Sequence, residues 1–375
     1  MIPYSRQSIN QDDIDAVTAI LRGDWLTQGP SVLAFEQALA TFSGAKFAVA
    51  VPNGTAALYL AYGALGLTEG DEIITTPNTF VATSNMALAL GARPVFCDIR
   101  PDTRNIDETK IEALITARTK AIVPVHFAGH PADMDAILAI AKKHKLFVVE
   151  DACHAIGAQY RDKKIGSLSD MAVFSFHPVK PITTGEGGAI LTNSDEFYKK
   201  MLILRTHGIT KDPQKTESVG KWFYEMVELG FNNRITDIQC ALGLSQLKRL
   251  HQFQAKREAV ADYYFEQLKN ESRIVLPVRL PDIKHSWHLF AIEVKNTEKR
   301  RAVFDHLQKN GIGVQVHYIP VHYQPYYRKL GYGKQSFPNT EKYYAGAISL
   351  PIYPDLTRAD QDFVIQKLTE ALTNF

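Results

Sequence analysis

Cysteine is scarce in this chain of 375 residues, and the three present, Cys97, Cys153 and Cys240, are far apart and odd in number. That pattern argues against a disulfide framework or a zinc site and for reduced thiols that pack. An excess of either charge is missing too. With 42 basic against 40 acidic residues, no global field recommends a nucleic acid or a membrane surface, and any anion site must be local. No apolar run approaches the roughly 20 residues of a membrane span. Met1 leads into the polar IPYSRQSINQDD, without the basic stretch and apolar core of a secretory signal, so a cytoplasmic protein is expected. A GxGxxG fingerprint after a strand is also lacking, which speaks against a Rossmann dinucleotide site.

What remains is an ordinary globular composition, 45% hydrophobic and 22% charged, in a chain long enough for a large domain with a smaller one attached. Asn10 is a candidate N-cap for a surface helix over 10–22, with Asp12 and Asp13 in its first turn and Ile14, Val17, Ile20 and Leu21 at helical spacing. From there to about 195, short apolar runs (AVAV, EIITT, AIVPVHF, LFVVED, MAVFSF, GGAILT) alternate with helical stretches such as 55–66 and 132–144. This rhythm predicts βαβ units, a mainly parallel sheet and helices on both faces. Residues 237–269 read as one long helix bridging the domains. Beyond Pro277, HLFAIEV and VQVHYIP read as short strands around a helix at 297–309, and a last helix covers 358–373. The expected division is 1–245 for the large α/β domain and 246–375 for a small α+β domain. The polar stretch 210–220 reads as a loop.

Three stretches carry chemistry. In FSFHPVKPITTGEGG, Lys180 follows an apolar strand, where the ligand crevice of an open α/β sheet lies; it is either a desolvated amine nucleophile or a plain surface lysine. In FVVEDACHAIG, Asp151 ends another strand and is a candidate to cap a helix, bind a metal, or pair with a cofactor's protonated ring nitrogen. No ligand cluster supports the metal. His154, near the crevice if a helix starts at Ala152, either faces that ring, contacts a phosphate, or is structural. In NGTAAL, the amides of Thr55, Ala56 and Ala57 at a helix start suit a phosphate, a weak signal by itself.

Taken together, Asp151, Ser175, Lys180 and the upstream Gly-Thr-Ala turn resemble the fold-type I aminotransferases that use pyridoxal 5′-phosphate (PLP). SFHPVKPITTGEGG, EDACHA, TPNTFVATSN, NIDE and GFNNRITDIQCALG resemble, within these, the sugar-nucleotide aminotransferases, over essentially the whole chain. The resemblance implies a Schiff-base lysine at Lys180 and a pyridine-nitrogen carboxylate at Asp151, with His154 beside it. It implies a phosphate cup of Gly54, Thr55, Ala56 and Ser175, a ring face covered by Phe80, and Asn232 reaching the neighbouring subunit's phosphate region in a homodimer. IPYSRQSINQDDIDAV, DWLTQGP and VQVHYIPVHYQPYY look most like the subgroup of pseudaminic acid biosynthesis. That subgroup aminates C4 of a UDP-linked 4-keto-6-deoxy-N-acetyl-L-hexosamine. Its substrate positions fall on Tyr4, Trp25, Leu26, Thr27, Gln315, His317 and Tyr318, so residues 1–30 would contribute to the substrate site. L-glutamate is the implied donor, pyridoxamine phosphate the implied intermediate form of the cofactor, and no metal is implied. A histidine at the lysine position, as in related dehydratases, is not found here.

Overall fold

The computed structural model describes residues 1–374. Its centre is a seven-stranded sheet in the order Phe47–Val51, Gly188–Thr192, Met171–Ser175, Phe147–Asp151, Thr119–Ile122, Glu72–Thr75, Arg93–Phe96. Gly188–Thr192 runs antiparallel to both neighbours, and the other adjacent pairs are parallel. The strands are apolar on consecutive residues because both faces are covered. Ala48, Ala50, Phe174 and Leu191 belong to one buried cluster, and Val49, Val51, Val173 and Ile190 to the other. Helices Gly54–Ala64 and Met134–His144 fill crossovers, and Gln11–Leu21 opens the chain with Asn10 in a capping box.

A second core holds a three-stranded antiparallel sheet, Ile274–Val275, Phe290–Val294 and Ala347–Leu350, packed by helices Arg300–Lys309 and Arg358–Asn374. Ile2 packs against this second core, so the N-terminus returns to the C-terminal part of the chain.

Three sequence expectations are corrected. The long helix is two, Asp237–Lys248 and Leu250–Leu268, meeting at Arg249, whose ψ near 0° leaves the α-helical range. The second of these helices spans both cores, Leu250 and Phe253 packing with Leu247 in the large one and Val260, Tyr264 and Leu268 in the second. VQVHYIP forms no strand: only Gln315 bridges to Ser349, and the segment otherwise runs as irregular chain. The polar stretch 210–220 contains helix Pro213–Val219, capped by Asp212 with Pro213 at its first position. Among the described residues, no helix is long and apolar enough to cross a membrane.

Candidate active site

Asp151 ends its strand 6% exposed. Each carboxylate oxygen meets one neutral donor: Thr83 Oγ1 donates to Oδ2 at 2.6 Å, and the Cys153 amide to Oδ1 at 3.2 Å. A buried carboxylate served by two neutral donors still has lone pairs and a charge to satisfy, which suits a cationic N–H.

Lys180 stands five residues beyond the neighbouring strand Met171–Ser175. Its turn is closed by its own amide donating to the His177 carbonyl at 2.8 Å, and pinned by Ser5 Oγ donating to the Val179 carbonyl at 3.0 Å. The side chain is half-buried. Burial pulls the ammonium pKa below the usual lysine value, against the opposing pull of Cys153 and Asp151. A lysine so placed releases its proton more readily, which a nucleophile and base needs.

The glycine turn is built from the sheet outward. Ser175 pairs with Gly188, and Gly188 with Val51, so the chain leaving Val51 passes over that glycine. A Cβ on Gly188 would lie 2.6 Å from the Asn53 carbonyl and 2.8 Å from the Gly54 nitrogen. One on Gly54 would lie 3.1 Å from both Cys153 Sγ and Ser175 Cβ. Gly54, Ser175 and Cys153 therefore line one cradle that glycine keeps open. The expectation of three free amides is corrected: Asn53 caps helix Gly54–Ala64, its Oδ1 accepting from the Ala56 amide at 2.8 Å and its carbonyl from the Ala57 amide at 3.1 Å. Gly54 and Thr55, the first two helical residues, keep the amides without an intrahelical acceptor, at the positive end of the helix dipole.

His154 sits on a turn; no helix starts at Ala152. Its Nε2 is 2.9 Å from the Tyr318 hydroxyl, while Nδ1 is buried without a partner. The His288 ring lies 4.3 Å away. His317 Nδ1 is 2.8 Å from Ser349 Oγ, and its ring is 5.7 Å from Tyr4. Burial first, and the charge of Lys180 second, hold His154, His288 and His317 below the ordinary histidine range, His317 at about 3. The charge of Lys180 thus bears on three neutral imidazoles. Tyr4, His317 and Tyr318, from opposite ends of the chain, pack together, the His317 ring 4.9 Å from that of Tyr318; Gln315 is exposed two residues before His317. Phe80 presents a 58% exposed ring 6.3 Å from Tyr318.

Four expected residues lie apart. Trp25, Leu26 and Thr27 form an exposed loop tied to Thr236 and Asp237, and exposed Asn232 bridges to Thr206. None of these contacts reaches Gly54, Ser175 or Lys180. Sequence reasoning misses Thr83, although it follows Phe80 at helical spacing. It gives Cys153 a packing role only, and it passes over His288, which carries no sequence signal.

An amine and a buried carboxylate at neighbouring strand ends match a cofactor that bonds an amine at one end and bears a basic ring nitrogen at the other. PLP has both, and a phosphate for the Gly54 cradle; the site is that of a PLP-dependent enzyme. The profile of the DegT/DnrJ/EryC1/StrS aminotransferase family matches residues 7–369, and the chain belongs to that family. It is 44% identical to the spore coat polysaccharide biosynthesis protein SpsC of Bacillus subtilis, over 98% of this chain and 96% of that one. It is 40% identical to a UDP-4-amino-4,6-dideoxy-N-acetyl-beta-L-altrosamine transaminase of Campylobacter jejuni, over 99% and 98%. The solved structure of Helicobacter pylori PseC, an aminotransferase involved in the biosynthesis of pseudoaminic acid, superposes with a TM-score of 0.95 at 37% identity, over all of both chains. Other solved relatives were captured in PLP and PMP forms. The protein is a PLP-dependent sugar aminotransferase of fold type I.

Proposed function

We propose that the protein moves an amino group from L-glutamate to C4 of a UDP-linked 4-keto-6-deoxy-N-acetyl-hexosamine, as UDP-4-amino-4,6-dideoxy-N-acetyl-beta-L-altrosamine transaminase in pseudaminic acid biosynthesis. The observation that carries this reading is the packing of Tyr4, His317 and Tyr318 into one cluster whose His317 feels the charge of Lys180. These residues fall on the substrate positions of that subgroup, and the Campylobacter relative bears the same name.

When bound, PLP supplies an electron sink for the charge left as a proton departs from the donor carbon. Asp151, its oxygens aimed by Thr83 and the Cys153 amide, would hold a proton on the ring nitrogen through its negative charge. Lys180 Nζ would hold the cofactor and, when free, would carry the proton from the donor carbon to the cofactor carbon that keeps the nitrogen. The amides of Gly54 and Thr55, with Ser175 Oγ, would hold the phosphate, and His154 and Phe80 would flank the ring. The neutral imidazoles of His154 and His317 add no positive charge to the site.

The active unit is a homodimer in this reading. Trp222, Met226, Leu229 and Phe231 expose large apolar side chains immediately before Asn232, and Trp25 and Leu26 are exposed likewise. A surface of that kind fits a partner subunit, which would bring Asn232 and the Trp25–Thr27 loop to the neighbouring site. Residues 1–245 and 246–375 are the proposed domains. The similarity to SpsC supports a second reading, an aminotransferase for another UDP- or dTDP-linked keto sugar. Turnover with a panel of UDP- and dTDP-4-keto sugars plus glutamate, with NMR of the product, decides between them. Preference for a dTDP sugar, or amination elsewhere than C4, overturns the first reading.

A further inference from the structure

Asp151 is held by more than its strand. Thr83, fully buried on helix Ala82–Ala89, donates through Oγ1 to Asp151 Oδ2 at 2.6 Å. Thr79 Oγ1, also buried, lies 2.8 Å from the same Thr83 oxygen. A hydroxyl has one proton to give and an ionised carboxylate has none. With Asp151 charged, the Thr83 proton must point to Asp151, and Thr79 is then the donor to Thr83. Charge therefore orders the chain from Thr79 through Thr83 to Asp151, and each bond polarises the next.

The backbone of Thr83 is fixed as well. Its carbonyl accepts from the Tyr62 hydroxyl at 2.9 Å, and its amide donates to the Phe80 carbonyl at 3.3 Å. The helix start that carries Phe80 is thus tied to the carboxylate.

We propose that Thr83, backed by Thr79, is a positioning residue for the ring-nitrogen contact: it aims the charged Asp151 and stabilises its charge, and it sets the position of Phe80 relative to that carboxylate. Thr83 touches no reacting atom and acts through Asp151.

The test uses the full chain reconstituted with pyridoxamine phosphate, which forms no bond to Lys180, and with PLP labelled at the ring nitrogen. Thr83→Val removes the hydroxyl at nearly constant volume. Losing a hydrogen bond to a charged group should weaken pyridoxamine phosphate binding about tenfold, and should move the ring ¹⁵N signal toward the unprotonated form. Thr83→Ser should restore both. Thr79→Val should move the ¹⁵N signal the same way by less, and it keeps the proposal testable if Thr83→Val fails to fold. In an Asp151→Asn background, Thr83→Val should change binding less than about twofold, since its route of action is gone. The proposal is overturned by an unchanged ¹⁵N signal in Thr83→Val or Thr79→Val, by failure of serine to restore it, or by an equal loss in the Asp151→Asn background.

Discussion

An alanine at Gly188 tests the phosphate cradle without touching any of its donors. Gly188 lies in a strand, paired with Ser175 on one side and Val51 on the other, so an L-residue fits its backbone. The obstacle is steric. The new methyl would lie 2.6 Å from the Asn53 carbonyl and 2.8 Å from the Gly54 nitrogen, and both are backbone atoms that no rotamer change can move aside. Two ladders hold the strand, so the glycine turn has to shift. Overpacking of this kind costs about 1–3 kcal/mol. We expect the cofactor-free protein to lose that much stability in thermal or denaturant unfolding. The displaced Gly54 and Thr55 amides should weaken PLP binding about tenfold or more, equivalent to roughly 1.4 kcal/mol. Pyridoxal, which has no phosphate, should bind nearly as before. Gly54→Ala is the control for stability: its methyl would meet the side chains of Cys153 and Ser175 at 3.1 Å, which can yield, so the stability loss should be smaller. Wild-type PLP affinity in Gly188→Ala, or equal losses for PLP and pyridoxal, would refute the placement of the phosphate.

Other outcomes follow from the same geometry. Asp151→Asn should retain PLP but slow the glutamate half-reaction by several orders of magnitude, because an uncharged partner no longer holds the ring-nitrogen proton; a rate within tenfold of wild type, about 1.4 kcal/mol of barrier, contradicts this. Lys180→Ala and Asn232→Ala chains, each inactive alone, should regain part of their activity when mixed, since one of the two shared sites then holds both residues; no recovery despite confirmed subunit exchange places Asn232 in its own chain's site, or outside any site. For His317, the folded pKa is about 3 against an ordinary 6.5. Below pH 6.5 the unfolded chain takes up a proton that the folded one refuses, so this contribution is complete above 6.5 and is lost as pH falls toward 3. At pH 5 the loss is about 2 kcal/mol. His317→Gln should flatten the stability profile between pH 5 and 7 relative to wild type, and parallel profiles would exclude the buried, neutral imidazole.

The sheet and the residues at its strand ends are legible in the sequence because a strand covered on both faces must be apolar on consecutive residues, so a single acid or lysine at its end stands out. Asp151, Lys180, Ser175 and Gly54 stand where strand counting puts them. The Asn53 cap is legible in principle, since an asparagine three residues before Ala56 at a helix start is an N-cap pattern, yet the glycine beside it draws the eye to the turn instead. VQVHYIP alternates apolar residues as a strand does, but Gln315 alone finds a partner, in Ser349, and alternation cannot reveal a missing neighbour. The break at Arg249 has no proline or glycine to announce it. Thr83, His288 and the placement of Trp25 and Asn232 depend on contacts between segments distant in sequence, which no local pattern encodes.

The chemistry of the site rests on Lys180 carrying the cofactor. The purified protein, loaded with PLP, is treated with borohydride, digested, and mapped by mass spectrometry. We expect a yellow protein whose visible band disappears on reduction, with the phosphopyridoxyl label on the peptide containing Lys180, and neither band nor label in Lys180→Ala. A label on another lysine, or an unchanged visible band in Lys180→Ala, would contradict the assignment of this site.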